Sequence, residues 1–103
     1  MEIYLELLRP LNPTGRSFIT NVYGAIAAKD KELVEKYKKE ITKLILKLGF
    51  KIEEVIGNDR MVSGVLALLI DDKTKEPKKL YTISLKVWNV EKELAEKISV
   101  EFS

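Results

Sequence analysis

Residues 61–70 read MVSGVLALLI, and they limit the fold more than any other stretch of the chain. Apolar side chains stand at both odd and even positions, so a strand here has to be covered on both faces. A sheet must therefore be built around it. DDKTKEPKK follows as a charged hairpin loop, kept in solvent by its proline and lysines. LYTISLKVWNV then alternates. Tyr81, Ile83, Leu85 and Val87 are expected inward, and Thr82, Ser84, Lys86 and Trp88 outward. At the start, MEIYLELLR alternates too, with Ile3, Leu5 and Leu7 on one side and Glu2, Tyr4, Glu6 and Leu8 on the other. FKIEEVI, residues 50–56, reads as a short strand before a GNDR turn. EKELAEK reads as one or two helical turns. ISVEFS reads as a closing strand with Ile98, Val100 and Phe102 inward.

The helical pattern lies between residues 12 and 49. Asn12 followed by Pro13 predicts an N-cap with proline at the first helical position. Phe18, Ile19, Val22, Tyr23 and Ile26 then recur at spacings of three and four. Asp30 interrupts the apolar stripe and is itself a good N-cap, which predicts a break near residues 28–31. The second stripe is Leu33, Val34, Tyr37, Ile41, Leu44, Ile45 and Leu48, with Gly49 as the residue that ends the helix. One unbroken helix is the alternative, and at about 50 Å it is long for a domain this size. The expected order is β-α-α-β-β-β-α-β in a single domain over residues 1–103. This is an α+β two-layer sandwich with a mostly antiparallel sheet and helices on one face; a ferredoxin-like variant is one topology that fits.

Composition narrows the chemistry. The chain has 103 residues, 46% hydrophobic and 33% charged, with no cysteine and no histidine. Disulfides, thiolate nucleophiles and Cys/His zinc sites are therefore excluded. Ser-His-Asp and Cys-His catalysis are excluded with them. No cofactor is expected. There is no run of 18 or more apolar residues, and the N-terminus carries acid rather than the basic flank of a signal peptide, so a cytoplasmic protein without membrane contact is expected. Lysine and glutamate dominate the charge and thermolabile residues are scarce, a balance that leans towards a thermophilic source, such as a small archaeal or viral protein.

Four features are candidates for function. NPTGRSF places Gly15, two hydroxyls and Arg16 at a helix start, where free N–H groups attract anions. With one glycine and no following lysine it is not a phosphate loop, and a capped helix with a solvated arginine explains it as well. Lys36, Lys39, Lys43 and Lys47 fall within about 80° of arc on a helical wheel. They could track a phosphate backbone, although Glu32, Glu35 and Glu40 lie at pairing distance along the helix. The net charge of +2 is too small to argue for nucleic acid unless the charge is clustered. Asp59, Asp71 and Asp72 could hold Mg²⁺ for a phosphodiester enzyme, but aspartate in turns is ordinary turn chemistry.

The fourth feature is surplus apolar surface. Helices are available for one sheet face only, yet Tyr4, Leu8 and Trp88 point to the other, and Leu46 lies off its helical stripe. Patches of this kind mark interfaces. The expected function is therefore a small non-enzymatic binding or accessory module. It acts through protein–protein contact, as a homodimer anchored by Trp88, with a further protein partner that the residues do not identify. The alternatives are a nucleic-acid binder using Arg16 and the lysine stripe, with loop lysines Lys73, Lys75, Lys78 and Lys79, and the Mg²⁺ enzyme.

Overall fold

The computed structural model describes residues 1–89, 91, 94 and 97–102. Strand β1 (Glu2–Leu11) is followed by helices α1 (Arg16–Lys29), α2 (Lys31–Lys36) and α3 (Lys38–Ile56), and then by strands β2 (Arg60–Ile70) and β3 (Pro77–Asn89). The three strands form one antiparallel sheet in the order β1-β2-β3. The helices cover one face, α1 over β1 and α3 over β3. The chain is thus an α+β two-layer structure, with the doubly apolar strand at the centre of the sheet as its composition requires.

Opposed residues in an antiparallel ladder share a face. The rows Ile3–Leu68–Leu80, Leu5–Leu66–Thr82, Leu7–Gly64–Leu85 and Leu11–Val62–Val87 face the helices. There Leu5, Leu66, Leu68 and Val62 meet Phe18, Val22 and Ile26 of α1 and Ile41, Ile45 and Ile52 of α3 in one core. Between Val65 and Leu66 the register of β3 slips by one residue, which leaves Ile83 as a bulge. The slip reverses parity for the first half of the strand. Tyr81 therefore points outward and Thr82 towards the helices, opposite to the simple alternation. Beyond the bulge, Leu85 and Val87 lie inward and Ser84, Lys86 and Trp88 outward, as alternation predicts. Gly64 sits beside the bulge at φ +140°, and a Cβ there would collide with the Ser84 carbonyl.

Three expectations for the helical region need correction. Asn12 is not the N-cap of α1; Gly15 is, without a side-chain cap. Asn12 instead opens a turn: its carbonyl accepts the Gly15 N–H at 3.0 Å and its Oδ1 accepts the Thr14 N–H at 3.1 Å. Gly49 does not end a helix, because α3 runs on to Ile56 and stops at Gly57, φ +88°. Gly49 is buried in mid-helix against the Pro13 carbonyl, so it serves close approach rather than termination. Residues 50–56 are accordingly helical rather than a strand; Ile41, Ile45, Ile52 and Ile56 keep the 3.6-residue period across Gly49 and Phe50. The break at Asp30 is where the pattern places it, with Asp30 Oδ1 accepting the Leu33 N–H at 3.1 Å. A second break falls at Tyr37, φ −118° and ψ 36°.

Residues 98–102 do not join the sheet. Ile98, Val100 and Phe102, expected inward, are 78%, 96% and 106% exposed. The short helix expected at 91–97 lies largely outside the described residues. No helix among the described residues is long and apolar enough to cross a membrane.

Candidate interaction surface

The sheet face away from the helices is uncovered among the described residues. Its rows are Glu2–Leu69–Lys79, Tyr4–Ala67–Tyr81, Glu6–Val65–Ser84, Ser63–Lys86 and Met61–Trp88. Tyr4 is 55% exposed, Leu8 87% and Trp88 47%. Leu8, Ser63 and Trp88 line one shallow depression with Glu6, Val65 and Lys86. The indole is held in place: Trp88 Nε1 donates to Ser63 Oγ at 2.9 Å, and Ser63 is buried beneath it. Half-exposed tryptophan with its N–H already satisfied offers its ring as apolar contact area without a desolvation cost for the nitrogen.

At the other end of the same face, two phenols converge on one carboxylate. Tyr81 donates to Glu2 Oε1 at 2.6 Å and Tyr4 donates to Glu2 Oε2 at 2.8 Å. The Tyr81 bond, then the Tyr4 bond, hold the Glu2 carboxyl below its usual range. The same bonds push Tyr81 up to about 12 and raise Tyr4. Ala67 lies between the two tyrosines and is fully buried, although it belongs to the uncovered face. Lys79 Nζ sits 5.1 Å from the Tyr81 ring centroid. Glu2, Ser63 and Tyr81 were not among the candidate residues. Tyr81 was hidden by the bulge, for which glycine inside a strand, here Gly64, is the available signal.

The remaining candidates separate. Leu46 lies on α3, across the sheet from Tyr4, Leu8 and Trp88, and cannot share their patch. Lys39, Lys43 and Lys47 are exposed on α3, whereas Lys36 lies on α2 beyond the break at Tyr37. Among the described residues, the ion pairs made by lysines are Lys51–Glu54 and Lys78–Glu76. The expected pairing of Glu32, Glu35 and Glu40 with the lysine stripe is therefore not made. Lys36 and Lys75 of the β2–β3 loop line one depression with Tyr37, whose hydroxyl donates to the Thr74 carbonyl at 3.1 Å. Arg16 is exposed in the first turn of α1.

The three aspartates do not form a metal site. Asp59 precedes β2 and Asp71 follows it, so the full strand of 11 residues separates them, about 36 Å. Asp71 Oδ1 is occupied by the Lys73 and Thr74 N–H groups at 2.8 and 2.9 Å, which lower its pKa. Asp72 Oδ1 lies 2.8 Å from the Met1 nitrogen. No cluster of three or more acidic side chains able to hold a metal occurs among the described residues. Comparison with protein-family models, curated proteins and solved structures found no match for the chain.

Proposed function

We propose that the protein is a small non-enzymatic binding module that works through protein–protein contact, as a homodimer built on its helix-free sheet face. The observation that carries this reading is that face itself, where Tyr4, Leu8 and a tethered Trp88 stand exposed on a rigid sheet. Aromatic anchors held by a scaffold are what interfaces concentrate their binding energy in. Light scattering tests it. The wild-type mass is expected at twice 11.8 kDa, and Trp88→Ala should raise the dimer dissociation constant by about 30-fold or more, the size of a hot-spot loss. A wild-type monomer whose mass Trp88→Ala leaves unchanged rules the reading out.

A second reading is favoured by the lysines that have no carboxylate partner among the described residues. Lys39, Lys43 and Lys47 repeat every four residues along α3, with Lys36 continuing the row beyond Tyr37. Such a row, extended by Lys75 and assisted by Arg16, suits a phosphate backbone. Anisotropy with labelled single- and double-stranded DNA should then give a log–log salt slope of about −3 to −4 for four contacts. Lys43→Glu with Lys47→Glu should about halve that slope. Absence of binding at low salt leaves these lysines as solvated surface.

A further inference from the structure

The free edge of β3 carries a second feature, separate from the sheet face used above. Beside that edge, α3 and β3 leave an open groove lined by Leu48, Ile52, Val55, Ile56, Thr82 and Leu85. Val55 is 77% exposed in it. A strand added to this edge would lay one of its faces on these side chains, because alternate residues of a strand point to the helix side of the sheet. The same chain carries a segment of that pattern. Ile98, Val100 and Phe102 alternate with Ser99 and Glu101, and the three apolar side chains make almost no contact with their own chain, at 78%, 96% and 106% exposure.

We propose that this groove receives residues Ile98–Phe102 of a second copy, which add to β3 as a fourth strand while the first copy's segment does the same in return. Ser84–Asn89, beyond the Ile83 bulge, provide a regular edge long enough for the segment Ile98–Phe102. With Ile98, Val100 and Phe102 on the groove, Ser99 and Glu101 fall on the other face, where β3 presents Ser84 and Lys86. An opposite-charge pair across strands supports that orientation. Residues 98–102 do not pair with the sheet of their own chain, and the chain is extended, with a radius of gyration of 16.4 Å against about 13 Å for a compact chain of 100 residues. An exposed apolar segment and a largely apolar groove, rimmed by Lys51 and unfilled by the described residues, are the elements of reciprocal strand exchange.

The inference shares with the proposed function the homodimer and the strand β3, but it uses the backbone edge and the helix-side groove rather than the exposed Trp88 indole. Val100→Asp disables the arm and Val55→Asp disables the groove; both positions are exposed, so each variant should keep the wild-type circular dichroism spectrum. Each alone should raise the dimer dissociation constant at least tenfold by light scattering. Mixed one to one they should form more dimer than either variant alone, because one of the two exchanges then pairs an intact arm with an intact groove. Three results overturn the proposal: a monomeric wild type, wild-type dimerisation in both variants, or a mixture that dimerises no better than either variant. If Trp88→Ala alone dissociates the dimer, the sheet-face reading stands and strand exchange fails. If Val55→Asp and Val100→Asp dissociate it and Trp88→Ala does not, the reverse holds.

Discussion

Two glycines in helices have opposite roles. Gly49 is buried against the Pro13 carbonyl, and a methyl group there must displace backbone. Gly49→Ala is expected to destabilise by about 1–3 kcal/mol, the usual cost of overpacking, despite alanine's better helix propensity. Gly24 in α1 has nothing near its missing Cβ, so Gly24→Ala should stabilise by about 0.5–1 kcal/mol. Urea denaturation of the two variants measures both signs. The Glu2–Tyr81 bond predicts a pH dependence. Tyr81 is raised from 10 to about 12, so folding favours its neutral form; its contribution is complete below pH 10 and fades as pH rises through about 12. Glu2 is lowered from 4.5, so its contribution is present above that pH and fades in acid. Ultraviolet titration should show tyrosine ionisation continuing to about pH 12, with Tyr81 last, and Glu2→Gln should shift this late phase down towards 10. At this scale the sequence was only partly readable. Asn12 and Pro13 mark a turn as readily as a cap, and whether a glycine ends a helix or admits a neighbour depends on a contact 36 residues away.

Among the elements, the strongest patterns survived best. The two-sided apolar run is the central strand, and Asp30 does cap α2. Asp30→Ala should cost about 1 kcal/mol while Asp30→Ser recovers most of it, since either hydroxyl or carboxylate oxygen can accept the Leu33 N–H. Thermal melts of the two variants compare them directly. Residues 50–56 misled because Gly-Phe resembles a helix end, yet Ile52 and Ile56 continue the period of Ile41 and Ile45. The Ile83 bulge misled because one inserted residue inverts the side chains before it, from Lys79 to Thr82. Gly64 was its one local mark, and period-two counting passes over it.

Among the described residues the molecule is one-sided, with three helices on one face of the sheet and none on the other. That asymmetry was legible, since the chain holds more apolar strand surface than its helices cover. Which exposed residues share a surface was not: Leu46 belongs to the helix layer and Asp59 to the opposite end of β2 from Asp71 and Asp72. Trp88 is the sole tryptophan, so its fluorescence reports on the uncovered face alone. If that face self-associates, the emission maximum should shift to shorter wavelength with rising concentration, at the midpoint seen by light scattering. An unchanged spectrum across a mass transition would place the contact elsewhere.

Both outer strands are irregular, β1 between Leu7 and Leu11 and β3 at Ile83. A three-stranded sheet with two long, straight borders could stack border to border without limit. Here each border offers only a short regular run before the backbone kinks, so neighbouring sheets cannot stay in step along their full length. The kinks thereby favour closed, finite assemblies over fibrils in a chain whose described residues leave one sheet face and the apolar segment 98–102 open to water.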